Sequence, residues 1–310
     1  MKNKVIAFTG KKGSGKNTLA NFLVGYQLRA NEVIKDFSLD DNGKLHAVYE
    51  IGDGKTAEGL LDLDRDDYDF SLHASQSIWP FAKTYAFATP LKEMCVGLFG
   101  IPRELVYGTD EQKNTLVEHL RWENMPGVIT VESAWEIFNT FNSWNYHNLN
   151  DEEINILKQK IKHQFSPQDF NPHNPTWSVF PDHKLIVHHP GPMTSREFMQ
   201  FLGTEVMRKM YGPIWVNFLT KQVQEENSTL SIITDLRFPN EDDGLRSLDS
   251  SKYDVKIVGL TRCIDSEDKH TSESLFDEVK KDAVLDNANS DLLTTCQQLT
   301  ECMNDWGWFE

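Results

Sequence analysis

The stretch from Val5 to Leu23 constrains this chain more than any other. Val5-Ile6-Ala7-Phe8 is a short apolar run, as a parallel strand buried on both faces requires. Gly10-Lys11-Lys12-Gly13-Ser14-Gly15-Lys16-Asn17-Thr18 follows, and then Leu19, Phe22, Leu23 and Tyr26 recur on one helical face. A strand, a glycine loop of the form Gly-x-x-x-x-Gly-Lys and a helix make a phosphate-binding loop. The glycines let the backbone curl until successive N–H groups point at one anion, and the helix N-terminus adds its positive dipole end. Gly10, Lys12, Gly13, Ser14, Gly15, Lys16, Asn17 and Thr18 are therefore candidate contacts to a nucleotide's phosphates. Lys16 supplies a mobile charge for the β- and γ-phosphates.

One position departs from the pattern. The residue after the lysine is ordinarily Ser or Thr, whose hydroxyl holds Mg²⁺. Here it is Asn17, with Thr18 one place late. An Asn carbonyl oxygen can still meet a hard cation directly or through water, so Asn17 stays a candidate metal contact.

A length of 310 residues suffices for one large α/β domain or two small ones. Lys and Arg number 31 against 47 Asp and Glu, a formal net charge of −16. That balance disfavours duplex DNA as a partner, because phosphate attraction dominates such binding. It leaves room for a local basic pocket taking a small phosphate ligand. Cys95, Cys263, Cys296 and Cys302 form no Cys-x-x-Cys pair and read as reduced thiols. No run approaches 18 apolar residues, so the expectation is a soluble, cytoplasmic protein with no membrane partner.

Downstream, regular signals alternate with irregular ones. Residues 31–83 are rich in Asp, Gly, Lys and Ser and read as an insertion, with a hairpin suggested by Leu45, Ala47, Tyr49 and Ile51. The acidic run from Asp62 to Asp69 reads as a solvated surface. Thr84–Phe87 is a second core strand, and Pro90 suits the first turn of the helix that carries Leu91, Met94, Cys95 and Leu98. Lys92 then lies just beyond a strand's C-terminal end, where ligands bind in open α/β sheets; an exposed helix lysine fits the spacing equally well. Residues 124–193 form a second irregular insertion, with helices expected over Val131–Phe141 and near Asp151–Ile161. His183, His188 and His189 read as loop histidines.

Thr194 and Glu197 make a capping box for a helix through Phe198, Phe201, Leu202, Val206 and Met210. Arg196 sits in its first turn, where a cation opposes the dipole, a position poor for stability and suited to a ligand. Gly203-Thr204-Glu205 interrupts this helix, which calls for close packing or a ligand, and Arg208 follows one turn later. After Gly212-Pro213 a helix resumes through Trp215. Leu230–Thr234 is an apolar strand ending in Asp235-Leu236-Arg237-Phe238-Pro239-Asn240-Glu241. An acid there, downstream of a phosphate loop, is placed to hold Mg²⁺, and Arg237 suits phosphate recognition through its planar fork. Val255–Leu260 is a further strand, with Arg262 at the root of a lid spanning about 262–280. Ala283–Leu285 is the last strand, and Ser290 is expected to cap a C-terminal helix.

Phe87-Ala-x-Pro-Leu-Lys92, Gln200-Phe-Leu-Gly-Thr-Glu205 with Trp215, Asp235-x-Arg237-Phe-Pro-Asn-Glu, and His270-x-Ser-Glu273 with a closing Asn287 occur in one order with the loop. Together they resemble the bacteriophage-type deoxynucleoside monophosphate kinases. The resemblance covers about 1–25, 84–115 and 194–305. It implies a single P-loop kinase domain over 1–310: an α/β fold with a P-loop NTPase-type parallel sheet flanked by helices, two inserted segments and a lid. It implies ATP and Mg²⁺ as cofactors, a small deoxynucleoside 5′-monophosphate as acceptor, and a diphosphate product for phage DNA synthesis in the cytoplasm of an infected cell. A homodimer stays open. Carried over by motif, Lys16 and the loop amides hold the donor phosphates, Thr18 reaches the α-phosphate, and Asp235 serves Mg²⁺. Arg196, Arg208 and Arg237 attend the acceptor phosphate or the transition state, with Lys92, Glu205 and Trp215 on the acceptor side. Arg262 is the lid's clamp, and Asn287 a donor-base contact. The family carries Asp where this chain has Asn17.

Two other readings compete. One moves the acceptor to hydroxymethylated bases in DNA, which the charge of −16 disfavours. The other is a nucleotide-binding module without catalysis, motivated by Asn17.

Overall fold

The computed structural model describes residues 2–65, 67–130, 133, 176–180, 183–262 and 278–308. Two compact units divide it: Met1–Pro90 with Tyr211–Glu310, and Leu91–Met210. The chain starts in the first with β1 (Asn3–Thr9), α1 (Lys16–Ala30), β2 (Asp36–Leu39), β3 (Leu45–Gly52), β4 (Lys55–Leu60), α2 (Tyr68–Ser77) and β5 (Ala82–Tyr85). Helix α3 (Thr89–Gly97) leads into the second, which continues with α4 (Arg103–Tyr107), α5 (Asp110–Lys113), β6 (Leu116–Arg121), β7 (Val128–Thr130), β8 (Thr176–Phe180), β9 (His183–His188), β10 (Pro192–Thr194), α6 (Ser195–Gln200) and a π-helix over Phe201–Arg208. The chain then returns through α7 (Ile214–Glu226), β11 (Leu230–Leu236), α8 (Pro239–Arg246), β12 (Tyr253–Leu260), β13 (Ala283–Leu285) and α9 (Leu292–Asp305).

In the first unit a five-stranded, wholly parallel sheet runs in the order β13-β12-β1-β11-β5. Strand β1 is central, with Ile6 facing Ile232 on one side and Lys256 on the other. Val5 to Phe8 are fully buried, which is why the run is uninterrupted by polar residues. Leu19, Leu23 and Leu28 of α1 pack on Ile6, Phe8 and Ile232, and Leu299 and Met303 of α9 join the same core. Residues 31–83 add Ile34, Leu45, Ala47, Leu61, Phe70 and Ile78 to it. The expected hairpin is present as β3 and β4 in a three-stranded antiparallel sheet, turning through Gly52, Asp53 and Gly54, all at positive φ.

Local differences from the sequence reading have local causes. The second core strand spans Ala82–Tyr85 rather than 84–87, because the N–H groups of Phe87 and Ala88 leave the ladder to bond Asp235. The C-terminal helix is capped by Asp291, whose carboxylate accepts Thr294 N, rather than by Ser290. His183 to His188 lie in β9 rather than in a loop.

The second unit holds a two-stranded antiparallel pair, β10-β6, and a three-stranded sheet, β7-β9-β8. Its core gathers Cys95, Ile101, Val106, Val117, Met193, Phe198 and Phe201. The capping box at Thr194 is formed, with Glu197 Oε2 accepting Thr194 N and Thr194 Oγ1 accepting Glu197 N. Beyond it the helix widens into π geometry around Gly203, where a Cβ would stand 2.7 Å from Leu91 Cδ2; close packing accounts for the glycine. The helices expected over 131–141 and near 151–161, and the His270–Glu273 motif, lie outside the described residues. Among the described residues no helix is long and apolar enough to cross a membrane.

Candidate active site

In a parallel sheet every strand's C-terminal end points the same way, and that edge collects ligands. The phosphate loop leaves the end of β1, Asp235 stands at the end of β11, Arg262 follows β12, and Asn287 follows β13. Four candidates separated by most of the sequence therefore share one edge of the first unit.

The loop has the backbone that its glycines permit. Gly10, Gly13 and Gly15 all have positive φ, at 151°, 73° and 93°. Gly10 also admits nothing larger, since a Cβ would stand 2.9 Å from Ser14 Oγ and 3.1 Å from Leu260 O. Gly15 is the N-cap of α1 and has no side chain to accept the first-turn N–H groups, which leaves these donors for an anion. Lys16 Nζ donates to Gly10 O at 2.8 Å, Lys11 O at 2.7 Å and Ser14 Oγ at 3.2 Å. Lys12 is half-buried and Asn17 exposed. Thr18 is half-buried and packs on Gly43 of the β2–β3 turn, whose carbonyl accepts Asn21 Nδ2.

Asp235 accepts Phe87 N at 2.8 Å through Oδ1 and Ala88 N at 3.0 Å through Oδ2. It so ties the end of β11 to the segment after β5. Each oxygen keeps a lone pair, and Mg²⁺ asks for one or two carboxylates with water and phosphate oxygens completing its shell. Asp235 with the Asn17 side chain fits that donor set. Two residues on, Arg237 is half-buried, and its backbone N–H and that of Phe238 both donate to Glu241 Oε2. Glu241 is buried and starts α8. Trp215, in the first turn of α7, is buried.

Arg262 is fixed against the β13–α9 turn. Its N–H donates to Asn287 Oδ1 at 2.8 Å and its Nε to Asn287 O at 3.0 Å. Asn287 Nδ2 donates to Ser14 O at 2.6 Å, a link across the chain that no local pattern signals.

The remaining candidates belong to the second unit. Lys92 Nζ lies 4.7 Å from the centre of the Tyr107 ring, and Arg103 Cζ lies 4.2 Å from it. Tyr107 donates its hydroxyl to Glu93, which also pairs with Arg103. Burial, then the Glu93 carboxylate, pushes the Tyr107 phenol up from its ordinary range. Arg196 donates from Nη2 to Asp110 Oδ1 at 2.6 Å and from Nε to Asn114 Oδ1 at 2.9 Å. Glu205 pairs with Lys209 one turn on, and Arg208 is half-buried in the π-helix. Arg103, Tyr107, Asp110 and Asn114 were not among the candidates. The one legible signal was Thr109-x-x-Gln112, a capping box that the structure forms at α5.

A family model described as deoxynucleotide monophosphate kinase matches residues 80–295. That span takes in every candidate except those of the phosphate loop. A deoxynucleoside-5′-monophosphate kinase from Escherichia phage T5 is 23% identical over 233 residues, covering 73% of this chain and 81% of that protein.

Proposed function

The chain belongs to the deoxynucleotide monophosphate kinase family, and on that premise we propose that it transfers the γ-phosphoryl group of ATP to a deoxynucleoside 5′-monophosphate. The observation that carries this reading is the shared sheet edge, which gathers the phosphate loop, Asp235, Arg262 and Asn287. An acceptor phosphate oxygen attacks the γ-phosphorus in line, ADP leaves, and a deoxynucleoside diphosphate forms. The transition state spreads negative charge over the equatorial oxygens, so cations and positioning suffice and no covalent enzyme group is needed.

Lys16 and the loop N–H groups take the donor phosphates. Asp235 and Asn17 would hold Mg²⁺, which neutralises charge on the β- and γ-phosphates when bound. Arg237, Arg196 and Arg208 serve the acceptor phosphate and the transferring group, and Lys92, Glu205 and Trp215 the acceptor side. Arg262 clamps the site from the lid's root. The reaction fits the cytoplasm of an infected cell, where phage DNA synthesis consumes such products.

The test is ADP release from ATP and Mg²⁺ in the presence of individual deoxynucleoside monophosphates, including 5-substituted pyrimidines. ADP formation should depend on one of them. Lys16→Ala should lower kcat/KM by about 10²–10³-fold with its circular dichroism unchanged. No turnover with any acceptor would overturn the proposal, as would label accumulating in DNA rather than in free nucleotide.

A further inference from the structure

Asn287 is 3% exposed, and Ser14 is fully buried. Between them runs the 2.6 Å bond from Asn287 Nδ2 to Ser14 O, while Asn287 Oδ1 holds Arg262 N. The side-chain amide is thus clamped at both ends by backbone groups. Its effect on the loop follows from peptide geometry. A trans peptide sends the C=O of Ser14 and the N–H of Gly15 to opposite sides. Holding Ser14 O to Asn287 therefore fixes the heading of Gly15 N–H, which belongs to the N-cap of α1. Gly15 itself sets no such heading, because glycine accepts either sign of φ at little steric cost. Untethered, the Ser14–Gly15 peptide can flip and aim a carbonyl where a phosphate needs a donor.

We propose that Asn287 is a positioning residue for the donor phosphates, holding the Ser14–Gly15 peptide in its anion-binding orientation while tying the loop to the root of the lid at Arg262. This rests on reading Gly10–Thr18 as the donor-phosphate site. It assigns Asn287 a task that needs no base, unlike the donor-base contact implied by the family resemblance.

Inorganic tripolyphosphate separates the two tasks, since it has phosphates and no base. Titration calorimetry would compare tripolyphosphate, ATP and GTP on the full-length protein, Asn287→Asp, Asn287→Ala and Lys16→Ala. Aspartate keeps an acceptor for Arg262 N but cannot donate to Ser14 O; alanine removes both bonds without a buried charge. For each variant that folds, Kd for tripolyphosphate and for ATP should rise together by about ten- to a hundredfold, the cost of a lost buried bond. The ATP-to-GTP preference and the affinity for the acceptor monophosphate should stay as in the wild type, which a merely loosened fold would not allow. Wild-type affinity for tripolyphosphate, or a loss confined to ATP with the base preference gone, would overturn the inference. So would the failure of both variants to fold, which would make Asn287 a residue of the fold alone. If Lys16→Ala loses binding and the Asn287 variants do not, the phosphate-loop reading stands and only this inference falls. A wild-type protein that binds neither ligand would overturn both.

Discussion

Asp235 has two tasks at once. Its position at the end of an apolar strand marks it for Mg²⁺, and its two oxygens also accept the N–H groups of Phe87 and Ala88. Asp235→Asn should therefore cost more than metal affinity. One oxygen becomes an NH₂ facing a backbone N–H, leaving a donor unmet at about 1–3 kcal/mol. Urea unfolding without nucleotide should show that loss, and an unchanged midpoint would count against it. The strand-end acid was legible because the sequence carries both the apolar run and its stop. Its amide partners were not, since nothing local ties Asp235 to residue 87. Asn287 and Ser14 make the same point. Lys92, Arg103 and Tyr107 were hidden differently, because a ring between two cations comes from two separate helices without a shared period.

Among elements, α1 shows how a helix can be legible on one face and not on another. Its sheet-facing leucines follow helical spacing, but Gly25 faces the β2–β3 hairpin, where a Cβ would lie 2.4 Å from Phe37 Cδ2 and 2.8 Å from Leu45 Cδ1. Gly25→Ala should destabilise by about 1–3 kcal/mol through overpacking, outweighing the roughly 1 kcal/mol that alanine gains in a free helix. A thermal melt that rises instead would refute the close approach. The link between β6 and β10 makes a pH prediction. Gly191 N and then Arg121 hold the Glu123 carboxyl down at about 2, from an ordinary value of 4.5. A depressed carboxylate stabilises above its unfolded value and ceases to as pH falls through the folded one. Glu123→Gln should thus be less stable than wild type at pH 7, with the gap closing between pH 4.5 and about 2. A gap independent of pH would exclude the ionic origin.

At the scale of the whole molecule, a net charge of −16 opposes compaction through self-repulsion. Raising ionic strength from about 0.01 M to about 0.15 M shortens the screening length from about 30 Å to about 8 Å. The melting temperature should rise over that range, and a flat or falling profile would show the acidic surface to be locally compensated. The parallel sheet carries a different consequence, one of time. Strand β1 is made first, yet its neighbours face it at Leu230 and Tyr253. At about 5–20 residues per second, the nascent chain waits about 10–50 s between the two events. Through that interval Val5 to Phe8 have no sheet to enter, and the phosphate loop has neither Asp235 nor Asn287 beside it. Nucleotide recognition therefore arrives late and nearly at once, when the last strands leave the ribosome. A polypeptide released early would carry the phosphate-loop motif without the ability to use it.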